Sequence, residues 1–234
     1  MKEAALLDLW ERSAGMSPVE RSLVLASFEG SVESGAPLGR VAGHVLDLRS
    51  RLFGRRFELM SACPECGEPA EVEFAANQLP TPTSEDQTVE VAMDGYRVLA
   101  RPANSLDVAY LLRFDEVEVA ELALRKRCTL MAEYEGVPVE LESIPTTVWA
   151  AVEDALDALD PLAAAGVNLQ CPTCSTEWRA QFDVTAIVYR ELSIHARGIL
   201  GQVDALARAY GWTEDAVLAL SPARRRSYLD MVKA

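Results

Sequence analysis

Two Cys-x-x-Cys motifs, placed far apart, constrain the fold of this chain more than any other feature of its sequence. Cys63-Pro64-Glu65-Cys66 and Cys171-Pro172-Thr173-Cys174 are separated by the 104 residues from 67 to 170. Short strand-like segments flank each motif, which predicts a tight turn between strands at each position. Four thiolates from two such turns form a tetrahedral soft-ligand set that suits Zn²⁺. We therefore predict one structural zinc ion per chain, bound by Cys63, Cys66, Cys171 and Cys174.

Two other states of these thiols stay open on sequence grounds: reduced thiols without a metal, and a redox-active dithiol. The redox state is disfavoured because proline follows the first cysteine of both motifs, and neither motif clearly opens a helix that would lower a thiol pKa. A site closed by four cysteines leaves no coordination position for water or substrate. We therefore expect the metal to have a structural role.

The segment between the two motifs must be an insertion tied at its base, because the motifs have to meet in space. This predicts an α+β protein in which a split four-cysteine zinc ribbon carries a small α+β insertion, flanked by N-terminal helices and a C-terminal helical arm. The predicted domains are residues 1–54 for the N-terminal helices, 55–79 and 166–182 for the ribbon, 80–165 for the insertion, and 183–234 for the helical arm.

Local patterns predict the elements of the N-terminal region and the insertion. Ser17-Pro18-Val19-Glu20 is typical of a capped helix start, and residues 40–53 carry an apolar stripe at helical spacing. After a polar loop at residues 79–84, Asp94-Gly95 predicts a type I′ turn between two strands. Further helices are predicted after Asn104, over residues 116–127 and from Pro145, with a second turn at Glu135-Gly136.

The C-terminal arm is predicted to be strongly helical. A heptad-like stripe consists of Leu192, Ala196, Ile199, Val203, Leu206 and Tyr210. Gly211 ends this helix, Thr213 caps a short one, and Ser221-Pro222 opens a last one. The stripe either packs in the protein's own core or docks into the groove of a partner.

The charge of the chain restricts its partners. Its formal net charge is −14, and the segment from Glu85 to Asp160 alone holds 17 acids against 6 bases. Nucleic-acid binders need a basic face, since phosphate neutralisation supplies much of their affinity, so we do not expect nucleic acid as a ligand. The acidic insertion suits either a soluble surface alone or the docking of a basic partner.

A cytoplasmic protein without membrane contact is expected. The apolar stretches are too short and too often interrupted by charge to span a bilayer. The first residues carry acids inside their apolar run, unlike a secretory signal. In the cytosol, spaced cysteine pairs are more often metal ligands than disulfides.

No pattern in the sequence selects a catalytic group. His44 and His195 each lie on a predicted helix without a readable nucleophile or carboxylate partner, and Cys128 is predicted to be a buried apolar residue. We therefore predict no enzymatic activity. The basic runs at residues 125–127 and 224–226 suit helix ends or solvated faces, and the second also suits contact with an acidic partner.

Several segments occur in a fixed order over residues 46–234. They are Leu46 to Gly54, the first cysteine motif with Gly67, Asn77 to Leu79, Tyr96-Arg97-Val98-Leu99-Ala100-Arg101-Pro102 leading into Asp107, the second motif with Trp178 and Phe182-Asp183, Leu206-Ala207 followed by Tyr210-Gly211-Trp212-Thr213-Glu214, and Leu218 to Arg225. In this order they resemble the T-even-phage-like baseplate protein family of contractile phage tails and phage-tail-like injection systems. The Leu-Ala-x-x-Tyr-Gly-Trp segment is also similar to the helical ends of tail-assembly proteins that load or chaperone other tail components.

The resemblance implies a non-enzymatic role as an assembly factor or chaperone for the baseplate hub, the spike or the tape-measure protein. On this basis we expect partner contacts at Leu206, Tyr210, Trp212, Arg224 and Arg225. Two other functions stay open. A zinc-ribbon adaptor in transcription or nucleic-acid handling would need a basic strand face, and a metalloenzyme with a hidden carboxylate pair would need an open metal position.

Overall fold

The structure of the protein is a computed structural model that describes residues 3–28, 30–80 and 88–233. The polar loop predicted at residues 79–84 therefore lies, from residue 81 on, outside the described residues.

Helices and strands both contribute to the fold, which is α+β as the sequence predicts. The helices are α1 (Glu3–Ser13), α2 (Pro18–Ala26), α3 (Leu38–Phe53), α4 (Ser105–Leu111), α5 (Val117–Cys128), α6 (Thr146–Leu159), α7 (Val184–Tyr210), α8 (Glu214–Leu218) and α9 (Pro222–Lys233). The strands are β1 (Arg56–Ala62), β2 (Pro69–Ala75), β3 (Val89–Met93), β4 (Tyr96–Ala100), β5 (Thr129–Tyr134), β6 (Val137–Pro138), β7 (Gly166–Gln170) and β8 (Glu177–Gln181).

The chain divides into two compact units. Residues 17–185 form one, here called the ribbon unit, and residues 1–16 with 186–234 form the other, here called the helical unit. This division differs from the predicted N-terminal domain of residues 1–54. Helix α1 belongs to the helical unit, whereas α2 and α3 belong to the ribbon unit.

The insertion of the ribbon unit is built on a four-stranded antiparallel sheet with the order β3-β4-β5-β6. The predicted turn is confirmed: Asp94 and Gly95 both have positive φ, at 52° and 82°, as a type I′ turn requires. Glu135 and Gly136 repeat this conformation between β5 and β6. Helix α6 packs on the sheet, and its Trp149 joins the apolar core of the insertion.

A buried carboxylate at the start of α4 binds two arginines, one just after β4 and one near the end of α5. Asp107 is fully buried, and its carboxylate oxygens lie 2.6 and 3.0 Å from the guanidinium nitrogens of Arg101 and 2.8 Å from Nε of Arg127. It also accepts a hydrogen bond from the backbone N–H of Asn104, which completes a capping box. Burial raises the pKa of Asp107, but the bonds from Arg101, Asn104 and Arg127 outweigh it and hold the pKa below the usual range.

The start of α3 is held against the end of the insertion. The backbone N–H of Gly39 donates to the Asp160 carboxylate at 2.9 Å, and the N–H of Leu38 donates to the Ala103 carbonyl at 3.0 Å. A Cβ on Gly39 would lie 2.2 Å from Oδ1 of Asp160 and 2.8 Å from the backbone nitrogen of Ala163. Only glycine permits this approach of the helix to the backbone.

Two separate antiparallel hairpins form the ribbon, one from β1 and β2 and the other from β7 and β8. Their shared apolar cluster contains Ala70 from the first hairpin and Leu169 and Ala180 from the second. Phe57 and Phe74 stack with ring centroids 5.1 Å apart. The hairpins therefore have an apolar contact of their own in addition to the cysteines.

The helical unit joins the first helix to the last ones. Nε1 of Trp10 on α1 donates to Oγ of Ser193 on α7 at 3.2 Å. Glu3 on α1 forms an ion pair with Arg225 on α9. The predicted stripe of α7 is largely confirmed, because Leu192, Ala196, Ile199 and Leu206 are all buried.

Candidate metal centre

The two cysteine motifs form turns of the same construction. In the first, the backbone N–H of Cys63 donates to the Glu68 carbonyl, and the N–H of Gly67 donates to the Cys63 carbonyl, both at 2.9 Å. In the second, Cys171 bonds to the Thr176 carbonyl at 2.9 Å and Ser175 to the Cys171 carbonyl at 3.0 Å. Each motif thus ends its strand, turns, and presents two sulfurs on one side.

The fifth position of each turn has a left-handed backbone conformation. Gly67 has a φ of 76° and Ser175 a φ of 60°. Glycine adopts this conformation without steric cost, whereas serine does not. The second turn therefore contains a local strain that the first turn avoids.

The turns bring all four predicted ligands together. The sulfurs of Cys63, Cys66, Cys171 and Cys174 all lie within 4.8 Å of one another. Across the two hairpins, Cys63 Sγ is 3.6 Å from Cys174 Sγ, and Cys66 Sγ is 3.5 Å from Cys171 Sγ. The two sulfurs of a disulfide bond lie about 2.05 Å apart. These separations are much longer, so the four cysteines are free thiols.

These separations fit a tetrahedral metal ion. Zinc–sulfur bonds of about 2.3 Å in a regular tetrahedron place neighbouring sulfurs about 3.8 Å apart. The two cross-hairpin distances of 3.6 and 3.5 Å lie close to this edge length. The backbone N–H of Cys174 also points to Cys171 Sγ at 3.5 Å, and such a bond stabilises the charge of a ligating thiolate.

The thiols affect one another's ionisation. Hydrogen bonds from the side chain and backbone of Thr176 lower the pKa of the Cys174 thiol to about 6. At Cys66, the backbone N–H of Glu68 lowers the pKa, but hydrogen bonds with the thiols of Cys171 and Cys174 outweigh it and raise the pKa to about 12. Four thiolates this close repel one another, and a divalent cation among them would remove that repulsion.

The site is half open to solvent. Cys63 and Cys171 are buried, whereas Cys66 and Cys174 are exposed. The first cysteine of each motif therefore faces the protein and the second faces water. A metal ion held here is accessible to a chelator from one side.

Thr176 and Ser175 contribute to the site without having been predicted from the sequence. Thr176 Oγ1 lies 3.2 Å from Cys174 Sγ, and Ser175 occupies the position of Gly67 in the other turn. Aligning the two motifs on their cysteines would have shown both positions, since Gly67-Glu68 corresponds to Ser175-Thr176.

Of the five residues predicted to bind a partner, some lie on the surface of the helical unit and the others lie in its interior. Leu206 is 0% exposed and Arg225 is 2% exposed, so neither side chain can contact a partner directly. The residues that remain accessible are Tyr210, Trp212 and Arg224. Contact with a partner at these three positions stays a prediction.

An aromatic cluster forms the accessible part of this region. The rings of Tyr210 and Trp212 stack with centroids 4.9 Å apart. Tyr228 on α9 meets the Trp212 ring edge-on at 4.8 Å. The cluster packs the end of α7 against α9 and leaves Tyr210 40% exposed.

Among the described residues, the remaining candidates from the sequence do not join the cluster of four cysteines. Cys128 is buried, as predicted, and burial is the largest factor that raises its pKa to about 11. His44 is exposed on α3, and His195 lies on α7 in the helical unit. Neither histidine belongs to a metal-binding cluster among the described residues.

The four cysteines define this protein as one with a split ribbon whose two hairpins share a cluster of four thiols that could hold a metal ion. No protein-family model, curated protein or solved structure matches the chain. Among the helices of residues 3–28, 30–80 and 88–233, none has the length and apolar character needed to cross a membrane.

Proposed function

We propose that the four cysteines hold one zinc ion per chain and that this ion has a structural role. The observation that carries the proposal is the convergence of four sulfurs within 4.8 Å from two turns of the same construction. Four cysteine ligands complete the coordination of zinc, so the ion ties the two hairpins together and is not available to a substrate.

We further propose that the protein is a non-enzymatic assembly factor or chaperone for the baseplate hub, spike or tape-measure protein of a contractile phage-tail-like injection system. The support for the partner is the ordered set of sequence segments described above. The physical support is the Tyr210, Trp212 and Tyr228 cluster, since partly exposed aromatic side chains often dominate the binding energy of protein interfaces. Arg224 lies on α9, four positions before Tyr228, and is exposed.

The test is an affinity purification of the tagged full chain, co-expressed with the genes next to its own, with metal content measured on the same eluate. We expect a stoichiometric hub, spike or tape-measure protein and one zinc per chain. Trp212→Ala should weaken the complex by about 2 kcal/mol, which is about thirtyfold in Kd, as expected for a central aromatic contact.

Two variants separate the metal proposal from the partner proposal. Cys171→Ser should lose the metal, because three sulfurs and a hydroxyl cannot hold zinc as four thiolates do. Arg208→Ala is the matched control for Trp212→Ala, since Arg208 is on α7 but its side chain is 80% exposed and paired with Asp204. If Trp212→Ala and Arg208→Ala bind the partner equally well, the aromatic cluster is not the contact.

The same eluate tests the alternative function. Zinc with abundant nucleic acid and no protein partner would favour the zinc-ribbon adaptor. The ribbon strands argue against this outcome, because β1 and β2 place Glu58 opposite Glu73 and expose both. A nucleic-acid contact on that face would bring phosphates against carboxylates.

A further inference from the structure

A basic cleft lies beside α3 in the ribbon unit. It has a volume of about 620 Å³. Arg40, His44 and Arg51 line it from the helix together with one acid, Asp47, and Arg55 lines it just before β1 begins, so its arginines outnumber its acids by three to one. Its accessible apolar lining consists of Ala76 and Pro80, with the buried Leu79 and Leu162 beneath. The cleft therefore combines a cationic rim with apolar side chains.

The charge of this region is opposite to that of the chain. Residues 38–56 contain five arginines and one acid, a balance of +4, in a chain of net charge −14. One of the five, Arg49, is buried and lies over the Phe57 ring at 3.7 Å. By contrast, the exposed Arg55 forms no side-chain hydrogen bond or ion pair with residues that the structure describes.

A second surface of the same unit has the complementary composition. The corner between α4 and α5, residues 112–119, exposes Leu112, Val117 and Val119 by 70%, 66% and 50%. Three acids lie among them: Asp115, Glu116 and Glu118. We call this segment the acidic corner.

The acidic corner is not engaged within its own chain. Among the described residues, its three carboxylates form no ion pair. Its only cation, Arg113, is directed to the Tyr110 ring at 5.3 Å. The high exposure of Leu112 and Val117 shows that the corner is not seated in the cleft of the same molecule.

We propose that the basic cleft of one copy binds the acidic corner of a second copy. The carboxylates of the corner face Arg40 and Arg55, and an exposed apolar side chain of the corner contacts Pro80 and Ala76, the accessible apolar residues of the cleft. Both surfaces combine charge with apolar area, and exposed apolar patches next to charges mark protein contacts. The contact joins two different surfaces, so it is head-to-tail and produces a ring or an open chain of copies.

The affinity is moderate, because each copy carries a net charge of −14 and the copies repel one another outside the contact. We expect a Kd of roughly micromolar magnitude. The first measurement is sedimentation velocity of the metal-loaded full chain, at physiological salt, up to about 100 µM, where a micromolar contact is populated. The average mass should rise with concentration.

Two variants test which surfaces meet. The cleft variant, Arg40→Gln with Arg55→Gln, removes the cations but keeps the corner. The corner variant, Glu116→Gln with Val117→Ser, removes one acid and one apolar contact but keeps the cleft. Each should raise the Kd of self-association at least about tenfold, as loss of close charge pairs does.

A mixture of the two variants gives the decisive result. The cleft variant still has an intact corner and the corner variant an intact cleft, so together they should form a 1:1 dimer that grows no further. The matched controls are Arg208→Gln and the pair Asp230→Asn with Met231→Ser, which change exposed residues of the same kinds on α7 and α9. The controls should self-associate as the parent does.

Each contrary outcome refutes the proposal. A parent that stays monomeric up to about 100 µM excludes a micromolar contact. Variants that associate like the parent show that other surfaces meet. Variants that are monomeric alone and also in the mixture exclude the head-to-tail arrangement. Metal content and circular dichroism, unchanged in all variants, exclude unfolding as the cause.

Discussion

Replacing Asp107 by asparagine tests how much the buried carboxylate contributes to the insertion. Asn keeps the size of the side chain but removes its charge and turns an acceptor into a donor that faces a guanidinium. Removing one partner of a buried ion pair costs about 3–5 kcal/mol. Since the side chains of Arg101 and Arg127 are 26% and 34% exposed, water partly solvates them after the change. We therefore expect a loss of about 3 kcal/mol in the free energy of unfolding.

The assay is urea unfolding of the metal-loaded protein at neutral pH, followed by fluorescence and circular dichroism. The matched control is Glu90→Gln, which removes the carboxylate from the Arg97 ion pair in the same sheet. That pair is exposed by 53% and 46%, so its loss should leave the unfolding midpoint unchanged. If the two substitutions have equal effects, burial does not determine the contribution of Asp107.

The contribution of Asp107 to stability should also depend on pH, which a comparison of the parent with Asp107→Asn measures. The folded protein holds the pKa of Asp107 below that of an unfolded aspartate, which is about 3.9. The carboxylate therefore contributes its full stability above that value and loses it as the pH falls through the lower, folded-state pKa. The stability difference between the parent and Asp107→Asn should be constant near neutral pH and shrink below about pH 4. A difference that grows on acidification would contradict the direction of the shift.

Three further predictions concern single positions in the ribbon unit. Asp160→Asn should change stability little at neutral pH, because burial raises the pKa of Asp160 and the amide oxygen can still accept the bond from Gly39; a large loss in urea unfolding would contradict this. Gly39→Ala should destabilise by about 2 kcal/mol or more, since its Cβ would overlap Asp160 and Ala163, and an unchanged midpoint would mean that the helix can shift. Ser175→Gly should stabilise the second turn by up to about 1 kcal/mol, and Gly67→Ala should destabilise the first turn by a similar amount. Chelator-induced unfolding measures both, and stability changes of the opposite sign would refute the strain at this backbone position.

The convergence of the four cysteines was predictable because cysteine pairs in tight turns are a strong local signal. Cys63 and Cys66 supply only two of the four ligands that a zinc site needs, and no other cysteine pair is nearby in the sequence. Cys171 and Cys174 must therefore supply the other two, whatever fold the intervening residues adopt. The turn at Asp94-Gly95 was predictable for the same reason, since its backbone conformation is specified by two adjacent residues.

The assignment of α1 to the helical unit was not predictable from local patterns. An amphipathic helix shows that one face is covered but does not show by what. The buried positions of Leu206 and Arg225 have the same origin: periodicity placed Leu206 on a stripe, and only the tertiary structure shows that the stripe is covered. Arg225 looked like one of three equivalent cations in the sequence, and only its contact with Glu3 distinguishes it.

The contact between α1 and α9 has a consequence for biosynthesis. Glu3 and Arg225 are 222 positions apart, so α1 has no partner on α9 until nearly all of the described chain has been translated. Leu6, Leu7 and Leu9 are buried in the folded protein, in a unit that is completed only by α7 to α9. The ribbon unit, residues 17–185, has all its residues earlier. During that interval α1 is an exposed apolar segment, of the kind that chaperones and proteases recognise. Ribosome-stalled chains that end before residue 222 should therefore contain a folded ribbon unit and a protease-sensitive first helix.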